Sequence, residues 1–597
     1  MAFKFIKHKW QKITLAIASV FLLLILLLAL FVNSYWSPIL ESKVKDIVSN
    51  SSDGLYQVDF SSAKLHVLRG TIVIFNISLK PDTAVYNAKR KKGLAPNNLV
   101  ELHIKKLVLS HIHPLSLYFK HTLKIGQVLL YAPELNVSYQ LNHTRDTVVK
   151  DRRTAWQKIS KTLHYIHIGD ILMGDVKFRY KDYSGNKLAA SQFEQMNISA
   201  HDLLIDSATQ TDRSRLLYCK DITAELNNYK GKTTNGLYSY TINSLKLSTS
   251  TSQLNIAGLA LKPVNTDEFF NRSHKDRFTL SLDSVQLNHF DFLSYHKYRT
   301  LTASDMTIKN GHLQVFANPN HLKKNEDKVK SFPNEAMRNL PLDLRIDTVN
   351  LSGIDVTYNE YNLKTKKTGT LAFNNTDGRV LNLTNNKTAL SKNNIISIKL
   401  GSSFMNRGKL EASVKFNMTD KNDSFSFAGS LGTMDLEDIN EAAMPLGMFK
   451  VTSGTLKKFE FDIQADRYGS KGRIGLLYND LKVTLLKPDT DMDRLKRKTI
   501  ASLFTNIFIL KHNNPDKDGG TPRIAYIRFT RKPENAFFKT IWQSLLSGIK
   551  PSVGLDKKTE QSVAELQTRQ AINKQNRKER KERRKKKREQ EQAQKKQ

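Results

Sequence analysis

The sequence predicts a mainly β protein. It reads as an N-terminal transmembrane helix followed by an elongated, twisted antiparallel β-sheet or groove, with internal duplication and short peripheral helices. Three observations carry this prediction. Residues 13–32 form an unbroken, leucine-rich run without a charge. From Tyr56 onward, apolar and polar residues alternate with period two, as in a sheet with one dry and one wet face. Two blocks of that alternation recur at a single offset.

The first element is the membrane span. At about 1.5 Å per residue, about 20 helical residues cross a hydrocarbon core of roughly 30 Å. Lys4, Lys7, Lys9 and Lys12 precede the run with no acidic residue among them. This bias places residues 1–12 in the cytoplasm and the rest of the chain across the membrane. A cleaved signal peptide is the alternative. Its apolar core is usually shorter, and no small-x-small pattern follows here. Tyr35 and Trp36 instead suit the aromatic edge of a span.

Composition bounds the partners and the redox chemistry. The chain has 597 residues and a formal charge of +37, which points to anionic partners. Residues 557–597 hold 16 basic and 6 acidic residues, so +10 is local to the tail. The single cysteine, Cys219, excludes an intramolecular disulfide and reads as a buried small hydrophobe.

In residues 33–53, Ser37-Pro38 can start a juxtamembrane helix with Leu40, Val44, Ile47 and Val48 on one stripe. A first β-rich half follows over 54–277. Arg69-Gly70 reads as a turn, and residues 90–93 as a polar connection. Val128 and Leu130 alternate, Pro133 interrupts, and Leu135, Val137 and Tyr139 resume. Val176, Phe178 and Tyr180 mark another strand. No helices recur between the strands, which argues against a βαβ enzyme.

The repeat relates residues 107–112 to residues 285–290. The same offset of 178 positions pairs Leu115 with Leu293, Val128 with Met306, Leu130 with Ile308, and Val137 with Val315. It also pairs Phe178 with Val356 and Tyr183 with Tyr361. Repetition lets each half bury its open end against the next. The second β-rich half spans 278–487. Its end is a meander with a connector at 437–446 and turns at 467–472 and 479–480. Val128, Leu130, Val137, Phe178, Met306, Ile308, Val315 and Val356 are the candidate inward, lipid-contacting residues.

These features together resemble AsmA-like bacterial envelope proteins, within the wider class of repeating β-groove proteins. The residues that carry the resemblance are the N-terminal span, the capped helix and the β pattern of residues 56–79. Gly454-Thr455-Leu456 through Leu485, with Gly472 and Tyr478-Asn479-Asp480-Leu481, is similar to the family's C-terminal β region. The likeness covers about residues 12–487, and its individual motifs are common to many β proteins. The chain departs from the family by ending in a long basic extension. The resemblance implies a bacterial inner-membrane anchor, a large periplasmic region and a role in outer-membrane homeostasis. It also implies binding or transfer of lipids along a β-groove. Apolar tails gain free energy against an apolar face while head groups stay in water. The same alternation equally suits a closed core, and thus a scaffold without lipid transfer.

Enzyme motifs are not in evidence, so the sequence predicts no enzyme, no cofactor and no metal site. His111 and His113, and His164 and His167, lack a third ligand fixed by spacing. Asp59, Asp170, Asp305 and Asp347 lie among strands, unpaired by sequence. No phosphate-binding glycine loop occurs. The mixed segment 488–556 reads as a helix near 495–509, a strand near 524–529, and an apolar helical face of Phe537, Phe538, Ile541, Trp542, Leu545 and Leu546. That face suits either a membrane surface or docking on the β body. The expected partners are membrane phospholipids or other anionic envelope lipids, and envelope proteins. Topology argues against nucleic acid for the tail, which otherwise suits an envelope polyanion or a solvated extension.

Overall fold

The computed structural model describes residues 45–583, except 47, 51, 67–68, 114–115, 117–118, 143–153, 161–162, 185–188, 213, 234, 274, 318–326, 489–494, 498–510, 555–571, 573–574 and 577–578. The expected span at 13–32, the cytoplasmic segment 1–12 and Leu115 lie outside these residues. So do Leu40, Val44 and Ile47, most of the predicted helix at 495–509, and most of the basic tail. Among the described residues, no helix is long and apolar enough to cross a membrane.

The chain is mainly β and divides into two units. Unit 1 comprises Met1–Lys262, Ser281–Ile308 and Leu342–Asp347; unit 2 comprises Pro263–Leu280, Lys309–Pro341 and Thr348–Gln597.

In unit 1, β1 (Tyr56–Asp59) and β2 (Ser62–His66) both pair with β3 (Thr71–Pro81). A helix over Thr83–Lys91 follows. The Asp82 carboxylate accepts from the Ala84 and Val85 amides, and Lys89, Arg90 and Lys91 sit at the negative end of the dipole. Residues 90 and 91, read from sequence as part of a connection, are therefore its last turn. Next come β4 (Asn98–Ile112), β5 (Thr122–Tyr131) and β6 (Glu134–Tyr139). β5 and β6 hold one register against β4 and are two halves of a single strand. Pro133 has no amide to donate and Ala132 stands at φ +42°, so the ladder breaks between them. β7 (Tyr165–Asp182) pairs with β5 and β6 in parallel. This corrects the all-antiparallel expectation: residues 140–164 form a crossover, not a hairpin. β8 (Ala189–Ile205), β9 (Cys219–Lys232) and β10 (Tyr238–Ser248) then add antiparallel. β11 (Gln253–Pro263), β12 (Arg277–Asn288), β13 (Thr300–Ala317) and β14 (Asp343–Asn362) follow in the chain.

Two creases cross the sheet of unit 1. In one, His111 at φ +54° lies beside Gly126, Gly126 beside Gly169, and Gly169 beside Asp202 at φ +52°. The other carries Asn76, Ala132, Asp175, Gln195 and Asn228, all at positive φ. Asn, Asp and Gly tolerate this left-handed backbone best. Between β3, β4 and β5 these left-handed residues leave the pairing register unbroken but turn the alternation by one. Hence Ile74 and Ile77, or Ile125 and Val128, enter the same apolar cluster despite their odd spacing.

The offset seen in the sequence recurs in the elements. Ala155–Ile159 and Pro333–Arg338 are both helical, and β7 and β14 both follow. Positive φ recurs 178 positions apart at His111 and His289, His121 and Arg299, Ala132 and Asn310, and Asp175 and Gly353. Beyond the next turn the offset becomes 180, at Gln195 and Asn375 and at Asp202 and Asn382.

In unit 2, β15 (Lys367–Thr384), β16 (Ile395–Phe404), β17 (Gly408–Asn417) and β18 (Phe425–Leu431) pair in sequence. β20 (Phe449–Ala465) takes β18 and the short β19 (Met434–Asp435) on one side and β21 (Gly469–Pro488) on the other. β22 (Leu495–Arg497) and β23 (Ile524–Thr530) complete the pairing with β21. Residues 495–497 are thus strand, where a helix was expected. The expected turn at 479–480 is instead a bulge inside β21, with Asp480 at φ +55°.

A helix over Phe537–Ser552 covers one face of this sheet. Its buried stripe is Thr540, Ser544, Gly548 and Ser552, headed by Phe537. The small residues let the helix approach closely. A Cβ on Gly548 would lie 2.8 Å from Ile474 Cδ1 and 3.0 Å from Ile527 Cγ1. Phe537 stands within 6 Å of the Phe332, Phe416 and Phe425 rings, closing the core. The docked arrangement therefore holds, with Ile541 and Leu545 of the expected face packed against the core beside the small-residue stripe. Phe538, expected on the apolar contact face, is 47% exposed.

Candidate functional site

Cross-strand partners share a face, so the register reads out each surface of unit 1. One row runs Ile74, Leu107, Leu130, Met173, Ile198, Ala224 and Leu247, from β3 to β10. A neighbouring row runs Ile72, Leu109, Val128, Ile171, Ala200 and Ile222. The result is one apolar face over seven strands. The reverse face changes character along the sheet: Val108, Leu129 and Leu172 lead to Ser199, Thr223 and Ser248.

The apolar face is closed at one end and half-open at the other. Near β1 and β2, Phe60 and Ala63 join Ile74, Ile104, Val128 and Leu130 in one buried cluster, with Ala63 opposite Ile74 in the ladder. Toward β7–β10, Met173, Ile198, Ala224 and Leu247 are only half-buried. Among the described residues, no helix of unit 1 packs substantially on that stretch.

All four candidate residues of the first half fall on this face. Val128 and Leu130 lie in its closed end, 8% and 5% exposed. Leu102 pairs with Leu135, and Leu135 with Phe178, which carries the face across the crease to Val137 and Phe178. Val137 is buried and Phe178 half-buried. Met306 and Ile308 are half-buried in unit 1; in unit 2, Val315 is buried and Val356 half-buried. Leu129 and Lys177 take the reverse face, and Lys177 Nζ lies 3.6 Å from Glu134. Sequence reading missed Met173, Ile198 and Leu247, the more accessible members. Their strand alternation was the available signal.

The second unit differs. Its apolar face is sealed by the Phe537–Ser552 helix. The other face holds an open concavity of ≈ 1260 Å³ lined by small residues, Gly401, Ser413, Ala428 and Gly475, together with Leu351, Leu400, Phe461 and Ile524. Arg379, Lys399, Glu411, Glu460, Asp462 and Arg473 surround it. Val315 and Val356 do not line this concavity.

The polar side chains of unit 1 also form connections invisible in the sequence. Asp170 Oδ1 lies 2.7 Å from His201 Nδ1, and Ser199 Oγ lies 3.2 Å from His201 Nε2. The order matches a nucleophile, base and orienting acid. Yet β8 is paired on both sides, so its ladder amides are committed, and among the described residues no oxyanion donor stands beside Ser199. Ser199 Oγ is instead 2.6 Å from Thr223 Oγ1, a cross-strand pair. Arg215 donates to Asp202, and His167 Nε2 approaches it at 2.9 Å. The hydrogen bond from Arg215, more than that from His167, holds the Asp202 carboxyl below its usual range.

Arg299 lies over the rings of Tyr180, Tyr139 and Tyr295, at 4.3, 4.8 and 5.1 Å from their centroids. Burial pushes the Tyr180 hydroxyl up, outweighing the opposing pull of Arg299. Cys219 is buried, which raises its thiol. Among the described residues, no three His, Cys, Asp or Glu side chains gather as a metal-ion site. Compared with protein-family models and with curated proteins, the chain matches none.

Proposed function

We propose that this chain is a non-enzymatic, inner-membrane-anchored bacterial envelope protein of the AsmA-like kind. It binds or transfers lipids along the apolar face of unit 1 and supports outer-membrane homeostasis. The supporting observation is the half-open row Met173, Ile198, Ala224 and Leu247, continuous with a closed apolar end. Acyl chains lying there remove apolar surface from water, at roughly 25 cal/mol per Å². No bond is made or broken. Residues 13–32 anchor the chain, and the +10 tail adds attraction to anionic lipid head groups.

Photocrosslinkers placed singly at Met173, Ile198 and Leu247 test the reading. They should capture phospholipid in intact cells, while Leu172, Ser199 and Thr223 on the reverse face should capture little. Equal capture on both faces, or background capture in a folded protein, would overturn it. The second reading is a membrane-anchored scaffold. It is favoured by the burial of Val128 and Leu130 in one cluster with Phe60 and Ala63. That reading takes over if the apolar row captures nothing.

A further inference from the structure

The edge of unit 2 carries an interaction surface beyond the lipid-contact reading. β23 pairs through one edge with β21, in an unbroken register from Thr530 opposite Gly469 to Ile524 opposite Gly475. Among the described residues, no strand pairs with its other edge. An unpaired edge exposes a row of amides and carbonyls ready to accept another strand. Pro, Gly and bulges commonly blunt such edges, and residues 524–530 contain none of them.

The side chains on this strand divide cleanly. Ala525 and Ile527 are buried, with Phe529 packed against the same core. Tyr526 is 82% and Ile524 55% exposed on the opposite side, alongside Arg528 and Thr530. Within its own sheet Arg528 stands opposite Lys471, a like charge. It therefore gains from a different neighbour on its free side.

We propose that β23 pairs with β23 of a second copy of this chain, antiparallel about Ile527. This register is isologous, so each contact occurs twice. Arg528 then faces the partner copy's aromatic ring at position 526, a cation over a π face. Ile524 faces position 530, and Ile527 faces its own equivalent. Within 524–530 no like charges are opposed; just beyond the ladder Arg523 stands level with position 531, where each arginine is already paired within its own chain, Arg523 with Asp516 and Arg531 with Asp327. Shifting the centre to Arg528 would set arginine against arginine, and shifting it to Tyr526 would set Arg528 against Ile524, so the register about Ile527 is the one of the three that gives Arg528 an aromatic partner. Ile524 also borders the concavity of unit 2, so the pairing brings two such concavities to a shared edge.

The test uses the full chain in detergent micelles and in nanodiscs. Light scattering should give the mass of a dimer. The double variant Tyr526→Cys/Arg528→Cys should form an intermolecular disulfide on mild oxidation, because the two positions are opposed. The native Cys219 is buried and contributes little background. The pair Lys471→Cys/Arg473→Cys, one strand further in, should not crosslink between chains. Tyr526→Lys sets a lysine opposite Arg528 and should weaken the dimer roughly tenfold or more. A monomeric wild-type chain overturns the proposal. So does a dimer in which the edge cysteines crosslink no faster than the inner pair. Lipid capture on unit 1 is read separately, so failure here leaves that reading untouched.

Discussion

A Cβ on Gly169 would lie 2.5 Å from the carbonyl oxygen of Gly126 on the neighbouring parallel strand. This contact sits in the crease that His111 and Asp202 extend to either side. Two glycines are adjacent there because the backbones approach more closely than a side chain allows. Gly169→Ala should therefore cost about 1–3 kcal/mol of unit 1 stability. Gly174 on the same strand has nothing within 4 Å of a built Cβ. Gly174→Ala should be neutral or slightly stabilising, through loss of unfolded-chain entropy. Denaturant titrations of the two variants make the comparison. Equal effects would show that the crease is not sterically constrained.

In unit 2, Asp423 is fully buried and accepts from Arg338 and from Arg467, whose Nε lies 2.9 Å away. Arg467 also donates to Glu335, tying the Pro333–Arg338 helix to the turn before β21. Removing the carboxylate takes away one of the two acids, Asp423 and Glu335, that both guanidinium groups share, and the fully buried one. Asp423→Ala should destabilise unit 2 by about 3–5 kcal/mol. Asp423→Ala combined with Arg338→Met and Arg467→Met should recover part of that loss. Thermal unfolding of the single and triple variants measures both, and a triple variant no better than the single would contradict the account.

The period-two alternation made the strands legible, and the 178-position offset of the repeated blocks reappears at the positive-φ residues. Pro133 announced its break directly. The creases were not legible, because an Asn or Asp inside a strand reads as an ordinary polar position. Its positive φ is set by neighbouring strands, as Gly126 and Gly169 show. Each crease shifts the face by one residue, so spacing alone fails across it. Ile74 and Ile77 are the clearest instance. The parallel β5–β7 pairing was likewise hidden, because parallel and antiparallel partners share one alternation. The apolar row itself was partly foreseen at Val128 and Leu130. Its open end was not, because burial depends on what packs over a residue and not on the residue's own type.

The Asp202 carboxyl gives a pH dependence with a defined sign. Its folded pKa lies below the unfolded value because Arg215 hydrogen-bonds the charged form. Its contribution is present above the unfolded pKa of about 3.9 and is lost as pH falls through the folded value. Asp202→Asn keeps the shape and tolerates φ +52°, but removes the charge. Unit 1 of the wild type should lose stability faster than the variant below about pH 4. Parallel stability curves over that window would remove Asp202 from the acid response.

The docking of the C-terminal helix gives a further prediction. Ser544 and Ser470 are joined by a hydrogen bond of 2.7 Å between hydroxyls, and Ser544 also donates to the Thr540 carbonyl. Ser544 is fully buried against the sheet, one turn before Gly548. A larger side chain has no room there, because Gly548 already meets Ile474 and Ile527. Ser544→Leu raises helix propensity and hydrophobicity together, both favourable to an isolated helix. It should nevertheless loosen this helix, because overpacking lifts it from β21 and β23 by displacing the small-residue stripe. Hydrogen exchange should quicken across Phe537–Ser552 and β23, with unit 1 unchanged. Ser544→Ala loses only the hydroxyl pair and should cost about 1 kcal/mol. If leucine instead slowed exchange, the helix would be held by its apolar residues and not by close approach, and Phe538 and Trp542 would become the contacts to examine.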